Sequence, residues 1–206
     1  MKFAKTGFCR GVAYEVAGEK ERDFIRSIVP VGYIHRVPAE TEASVCGLFA
    51  ELGYVITRHP GGERVLLVLT MIDNKKMAFV LKGDNVVLVT ITLSDKEYFT
   101  KNTVFEGYLT PDGTLHITDL FVLYGTDMGE AEYQIRYFGR CVALRCHYKY
   151  HQGGVIRLKF VEDSRTEDFQ ELIKNGFRVI VQSGKESIRS QMKTSSMYIT
   201  DSNVDF

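Results

Sequence analysis

Three short apolar runs follow one another between Arg64 and Leu93, in the sequence RVLLVLTMIDNKKMAFVLKGDNVVLVTITL. The runs are separated by Asp73-Asn74-Lys75-Lys76 and by Gly83-Asp84-Asn85. β-branched and other apolar residues favour strands, whereas Gly, Asp and Asn favour turns. The stretch therefore predicts an antiparallel meander with strands at Arg64 to Ile72, Met77 to Leu81 and Val86 to Leu93.

Upstream of the meander, the sequence predicts one helix and one strand. Ala39 to Leu52 carries apolar residues at helical spacing, and Gly53 follows as a stop signal. Tyr54 to His59 is a strand candidate that ends at the turn Pro60-Gly61-Gly62, and we expect it to belong to the same antiparallel meander. Residues 1–30 show no comparable pattern, so we expect an irregular N-terminal segment followed by one domain over residues 31–206.

Downstream, a hairpin is the clearest local signal. Val104 to Leu109 and Leu115 to Tyr124 flank the turn Pro111-Asp112-Gly113. Glu130 to about His151 then follows a helical period, with Ile135, Phe138, Val142 and Cys146 on one side. The remaining predictions are strands at Val155 to Phe160 and Phe177 to Val181, a capped helix at Ser164 to Ile173, and an apolar patch at Met197 to Ile199. Together these elements predict an α+β fold rich in antiparallel strands.

Composition and charge limit the classes of protein to which this chain can belong. The chain has 206 residues, of which 45% are hydrophobic and 25% charged, which is usual for a globular domain. No run approaches the roughly 18 to 20 uncharged apolar residues of a membrane span, and Met1 to Phe8 does not lead into a secretory signal. We therefore expect an intracellular protein, in the cytoplasm or nucleus, with no membrane partner.

The charged residues balance, with 26 Lys and Arg against 26 Asp and Glu. A general attraction to nucleic acid is therefore excluded, and any RNA contact needs a local basic patch. The best candidate patch lies on the predicted helix and the strand after it, where basic residues alternate with tyrosines. It contains Arg136, Arg140, Arg145, Lys149, Arg157 and Lys159, interleaved with Tyr133, Tyr137, Tyr148 and Tyr150. The alternative is an ordinary polar helix face.

The four cysteines show neither a disulfide pattern nor a metal pattern. They lie at Cys9, Cys46, Cys141 and Cys146, without a Cys-x-x-Cys pair, which favours reduced thiols. Zinc binding by Cys141, Cys146, His147 and His151 is disfavoured, because a helix does not bring residues at this spacing to one tetrahedral centre.

The segment His59-Pro60-Gly61-Gly62-Glu63-Arg64, with the apolar strand after it, carries a family resemblance. It resembles the Lys-x-Asp-Gly-x-Arg motif in the nucleotidyltransferase domain of mRNA capping enzymes, a superfamily that also contains the ATP- and NAD-dependent ligases. Gly62 and Arg64 match this motif. His59 stands at the lysine position and Gly61 at the aspartate position.

Later segments resemble further elements of that family in the same order. Phe105 to Leu109 resembles an Asp-Gly-Glu-Leu element, with Glu106 in place of the aspartate and Tyr108 in place of the glutamate. Leu115 to Phe121 resembles the next strand, and Asp119 matches its aspartate. Three more matches are Asn175 to Ile180, without its acid, Met192 to Ser195 with Lys193, and Asn203 to Phe206.

The resemblance covers about Val31 to Phe206 and implies an antiparallel-sheet-rich nucleotidyltransferase fold, like the adenylation domain of ligases, without the C-terminal oligonucleotide-binding domain. Family members use the motif lysine to form a phosphoramidate with a nucleotide and then transfer that nucleotide to an RNA 5′ end. Most of the reactive side chains are substituted here. The resemblance therefore implies a domain that binds a guanine nucleotide, an RNA 5′ end or cap, or a protein partner in a capping or transcription complex, without self-sufficient catalysis.

Two other functions remain open at this point. One is an active, divergent mRNA guanylyltransferase that uses Mg²⁺ or Mn²⁺, with His59 as nucleophile or a displaced lysine such as Lys75, Lys76 or Lys82. The other is a structural scaffold subunit with an empty groove. Because the chain contains no Trp, stacking on a methylated cap would need Tyr or Phe.

By the same resemblance, five residues are candidate nucleotide ligands: Arg64, Glu106, Asp119, Arg178 and Lys193. The basic residues would contact phosphate or ribose, and the acids would hold a metal or a ribose hydroxyl. Each also has an ordinary structural alternative. Arg64 could pair with an acid such as Glu63, the two acids could cap turns or pair with lysines, and Arg178 and Lys193 could lie on a solvated face.

Overall fold

The computed structural model describes residues 14–34, 39–40, 54–58, 60–91, 93, 97–128, 131, 133–145, 157–160, 177–181 and 196–199. The helices in these ranges are α1 (Glu19–Ile28), α2 (Val31–Ile34), α3 (Glu97–Thr100) and α4 (Tyr133–Arg145). The strands are β1 (Tyr14–Val16), β2 (Ala39–Glu40), β3 (Tyr54–Arg58), β4 (Glu63–Ile72), β5 (Lys75–Lys82), β6 (Asn85–Val89), β7 (Thr103–Leu109), β8 (Thr114–Leu123), β9 (Thr126–Asp127), β10 (Arg157–Phe160), β11 (Phe177–Val181) and β12 (Ser196–Ile199).

The chain divides into two compact units. The first unit contains Met1–His35, Gly61–Glu130 and Arg136–Phe160, and the second contains Arg36–Pro60, Ala131–Ile135 and Val161–Phe206. Each unit has its own sheet. The fold is thus mixed, with few helices in the described ranges, and the sheet of the first unit is mainly antiparallel.

The sheet of the first unit has the strand order β1-β6-β5-β4-β7-β8-β10, and β9 also pairs with β8. Neighbours are antiparallel except for β10, which runs parallel to β8. Three strands of the predicted meander, β4, β5 and β6, are confirmed, and β6 ends at Val89. The strand predicted before them, Tyr54 to His59, is not part of this sheet, because β3 pairs with β11 in the second unit. The turn between β4 and β5 is shorter than predicted: Asp73 and Asn74 both have positive φ, the geometry of a two-residue hairpin turn, so β5 already begins at Lys75.

The predicted hairpin of β7 and β8 is also confirmed. Its turn closes through hydrogen bonds between Thr110 and Thr114, and Gly113 takes the positive φ that a three-residue hairpin loop needs. The Asp112 carboxylate accepts hydrogen bonds from the hydroxyls of both threonines. Local turn chemistry therefore sets the register of the two strands next to the turn, as far as the pair of Gly107 and Ile117.

Helix α1 covers one face of this sheet, where an irregular segment was predicted. Ile25 and Val29 are buried in a core with Leu66, Phe79 and Phe121. The prediction was wrong for residues 19–28 because the helix is highly charged, EKERDFIRSI, and only a narrow apolar stripe packs inward. The low apolar content of the segment conceals an amphipathic helix whose few apolar residues share one side.

The second unit contains a four-stranded sheet in the order β2-β12-β11-β3. The predicted strands at β3 and β11 are confirmed, and the apolar patch of the tail forms β12. Ala39 and Glu40, predicted as the start of a helix, instead pair with β12 in parallel, a long-range contact that helical spacing cannot reveal. The rest of that predicted helix, and the predicted helix at Ser164 to Ile173, lie outside the described residues.

Helix α4 falls inside the predicted range but is oriented differently from the prediction. Phe138 and Val142, on the predicted apolar side, are 69% and 39% exposed, whereas Arg136 is buried. A Cβ at Gly139 would lie 2.7 Å from Cδ2 of Leu120, so the helix approaches β8 closely at this point. Among the described helices, none is long and apolar enough to cross a membrane.

The turn before β4 offers a direct test of the backbone geometry. Gly61 and Gly62 have φ values of 71° and 86°, but only at Gly62 would an added Cβ collide, 2.6 Å from the backbone oxygen of Leu109. We expect Gly61→Ala to cost about 1 kcal/mol of unfolding free energy and Gly62→Ala about 2 to 4 kcal/mol. Urea unfolding measures both values, and equal losses would contradict the close approach to Leu109.

Candidate functional site

Arg64 and Glu106 form the partly accessible end of a charged cluster in the first unit. Arg64 lies opposite Tyr108 in the register of β4 and β7, and Glu106 lies opposite Leu66, so the two side chains are diagonal neighbours on one face. Nε of Arg64 donates to Oε1 of Glu106 at 2.8 Å. Arg64 is 17% exposed and Glu106 only 2%.

The guanidinium of Arg64 has a second fixed contact and spare donors. Its Nη2 donates to the backbone oxygen of Tyr33 at 3.0 Å. A guanidinium carries five N–H donors in a planar fork, and Nη1 has no hydrogen-bond partner among the described residues. The group is therefore oriented at two points while one nitrogen is available to a ligand.

Asp119 and Arg136 form the deeply buried end of the cluster. Nε and Nη2 of Arg136 donate to Oδ1 and Oδ2 of Asp119 at 2.9 and 3.4 Å, and the backbone N–H of Leu120 also donates to Oδ1. Asp119 is fully buried and the Arg136 side chain is 3% exposed. This ion pair fastens α4 to β8.

The two ends meet across the β7 and β8 hairpin, where Glu106 and Asp119 are register partners. The pairing is irregular at this point, with a register shift between Glu106 and Gly107. The Thr118 hydroxyl lies 3.4 Å from both the backbone oxygen and Oε2 of Glu106. Irregular pairing of this kind re-aims side chains. We call Arg64, Glu106, Asp119 and Arg136 the charged cluster.

The structure thus brings together three of the five predicted nucleotide ligands, Arg64, Glu106 and Asp119. Arg136 joins them, although it was predicted to belong to an exposed RNA or partner surface. That placement is wrong, because its side chain is buried against Asp119. The link between Asp119 and Arg136 was missed because it spans 17 residues and no local motif marks it.

The other predicted site residues lie on other elements or outside the described ranges. Arg178 lies on β11 of the second unit, opposite Thr57 and Tyr198. Arg140 and Arg145 lie on α4, and Arg157 and Lys159 on β10. Three predicted residues lie outside the described part of the chain: His59, Lys149 and Lys193.

The three alternative nucleophilic lysines are placed away from Arg64. Lys75 and Lys76 lie on β5, opposite Ile72 and Met71 at the far end of β4, roughly 23 to 26 Å from Arg64 along the strand at about 3.3 Å per residue. Lys82 pairs with Glu63. Because side chains alternate along a strand, Glu63 points to the sheet face opposite that of Arg64.

Both acids of the charged cluster are poor candidates for holding Mg²⁺ or Mn²⁺. Each carboxylate already bonds a guanidinium, so a cation would have to displace an arginine. No group of three or more His, Cys, Asp or Glu side chains in the described ranges is arranged to hold a metal. The chemistry that the cluster supports is recognition of an anion by Arg64.

Breaking the buried pair at one partner tests its contribution to the fold. We expect Asp119→Asn to cost about 3 to 5 kcal/mol of unfolding free energy, because Arg136 is left charged and buried. The double variant with Arg136→Met should recover part of this loss. Urea unfolding of both single variants and the double variant gives the coupling.

The exposed pair of Arg26 and Asp84 is the matched control. Asp84→Asn should change unfolding little, because solvent screens that pair. A loss of the same size at Asp84 and Asp119 would contradict the importance of burial.

Comparison of the chain with protein-family models finds no match, and comparison with curated protein sequences finds none. Two features of the chain bear on its function: the charged cluster and the motif resemblance.

Proposed function

We propose that this chain is a capping-enzyme-like nucleotidyltransferase domain that binds a guanine nucleotide, or the capped or triphosphorylated 5′ end of an RNA, without self-sufficient catalysis. The observation that supports this most directly is the state of Arg64. Its guanidinium is fixed by Glu106 and Tyr33, is partly exposed, and keeps Nη1 available next to the turn at Gly61 and Gly62.

Such a guanidinium suits a phosphate better than a lysine would. It is always charged, and the N–H groups of Nη1 remain as oriented donors for a phosphate oxygen. Glu106 also removes part of the cost of ordering the side chain, since the guanidinium is held before any ligand arrives.

Binding without catalysis is favoured by the fate of the reactive groups. In the described residues, the cluster acids are paired with arginines, and Lys75, Lys76 and Lys82 lie away from Arg64. Gly61 and Tyr108 occupy two positions where the family has acids. Phosphoryl transfer needs a nucleophile and charge stabilisation at the same phosphate. Among the described residues, Arg64 suits charge stabilisation, whereas none of these lysines is placed beside it as a nucleophile. A divergent guanylyltransferase that uses His59 is the enzymatic alternative.

Replacement of Arg64 tests the binding site. We expect Arg64→Lys to weaken binding of GTP or of a cap analogue about 10-fold, because a point charge replaces the planar donors. Isothermal titration measures the affinity, and a rise in Tm with millimolar ligand gives an independent check.

Arg26→Lys is the matched control, because Arg26 also donates to one carboxylate and one backbone oxygen, both of Asp84. It should leave the affinity unchanged. Equal binding by both variants would remove Arg64 from the site. Absence of any ligand effect on the wild-type protein would favour the scaffold alternative, with a protein partner in a capping or transcription complex.

A labelling experiment separates binding from catalysis. After incubation with α-labelled GTP or ATP and Mg²⁺ or Mn²⁺, we expect no label on the protein in a denaturing gel, while a capping enzyme in parallel is labelled. A GTP-specific, acid-labile band would establish a phosphoramidate and overturn the proposal of binding alone. Loss of that band in His59→Ala would identify the nucleophile.

A further inference from the structure

In the first unit, Tyr33 contacts Arg64, Phe121 and Asp127. Its backbone oxygen accepts the hydrogen bond from Nη2 of Arg64. Its ring stacks on Phe121, with centroids 4.2 Å apart and planes inclined by 15°. Its hydroxyl donates to Oδ1 of Asp127 at 2.9 Å. The residue therefore joins α2 to both β8 and β9.

The short length of α2 explains how the backbone oxygen of Tyr33 accepts from Arg64. This helix is a single turn of four residues, and the last four carbonyls of a helix have no partner inside it. The backbone N–H of Tyr33 donates to the oxygen of Pro30 at 2.9 Å, which closes the turn. The ring and hydroxyl contacts then fix where this oxygen lies.

We infer that Tyr33 is a positioning residue for Arg64. Glu106 takes the Nε proton and Tyr33 takes one Nη2 proton, so the guanidinium cannot rotate without losing a hydrogen bond. Nη1 is left for a phosphate oxygen of the ligand. The nature of the ligand rests on the proposed function, whereas the position of the guanidinium can be measured without any ligand.

Two variants of Tyr33 distinguish the contribution of its hydroxyl from that of its ring. Tyr33→Phe removes only the hydroxyl contact with Asp127, and Tyr33→Ala removes the stack on Phe121 as well. Val29→Ala is the control, because Val29 is buried in the same N-terminal segment and makes no hydrogen bond to Arg64. All three variants are compared with the wild-type protein.

Two readouts are measured. The first is the ¹⁵N–¹H signal of Arg64 Nε without ligand, identified by its loss in Arg64→Lys. The second is the affinity for GTP. We expect Tyr33→Ala to shift or broaden the Nε signal and to weaken GTP binding about 10-fold, with a smaller change in Tyr33→Phe. Val29→Ala should lower stability and leave both readouts unchanged.

The outcomes distinguish this inference from the proposed function. If the wild-type protein binds GTP and both Tyr33 variants keep its affinity and its Nε signal, the inference is overturned and the proposed function stands. If the wild-type protein binds no nucleotide, the proposed function fails. The Nε signal of the Tyr33 variants then tests by itself whether Tyr33 positions Arg64. If Val29→Ala reproduces the changes, positioning by Tyr33 is overturned. If Tyr33→Ala does not fold, Tyr33→Phe decides, and an unchanged Nε signal counts against the inference.

Discussion

Glu106 and Asp119 stand opposite one another on β7 and β8, and both are buried. Two carboxylates removed from water must be stabilised by positive or hydrogen-bonding groups, or the fold loses several kcal/mol. Each acid is paired with an arginine from a different element, Arg64 on β4 and Arg136 on α4. The need to compensate these charges thus ties the middle of the sheet to the helix that follows it.

The two ends of the charged cluster differ in what they can do. The pair of Asp119 and Arg136 is shielded from solvent, so its effect is on the position of α4. Arg64 is partly exposed and holds an unused nitrogen, so it is suited to contact a ligand. The two ion pairs therefore differ in role: one is a structural contact, and the other contains the group to which the proposed function assigns contact with a phosphate.

The N-terminal segment is part of this arrangement. Helix α1 packs Ile25 and Val29 against the same face of the sheet that carries Arg64, and Tyr33 follows directly in α2. Burial of the apolar stripe of α1 brings the backbone oxygen of Tyr33 to Arg64. A segment that carries no family motif in the sequence thus supplies one of the two contacts that fix the guanidinium.

Sequence alone determined the elements that depend on near neighbours. The strands of the meander and the β7 and β8 hairpin follow from apolar runs and turn residues, because side-chain alternation and turn geometry act within a few residues. The same local reading, with the motif resemblance, selected Arg64, Glu106 and Asp119, whose meeting follows from the register of β4, β7 and β8. Helical periodicity predicted helix α4, but it did not identify which side of α4 packs against β8.

Only the tertiary structure decided the contacts between residues distant in the chain. Arg136 turns inward because Asp119, 17 residues earlier, needs a buried counter-charge. The stabilisation of this buried charge outweighs the cost of leaving the Phe138 side chain exposed to solvent. Helix α1 is too polar for its narrow stripe to be recognised until a sheet is there to cover it. The contact of Tyr33 with Arg64 uses a backbone oxygen, a group that every residue has. No side-chain pattern could predict it, since its position depends on three-dimensional packing alone.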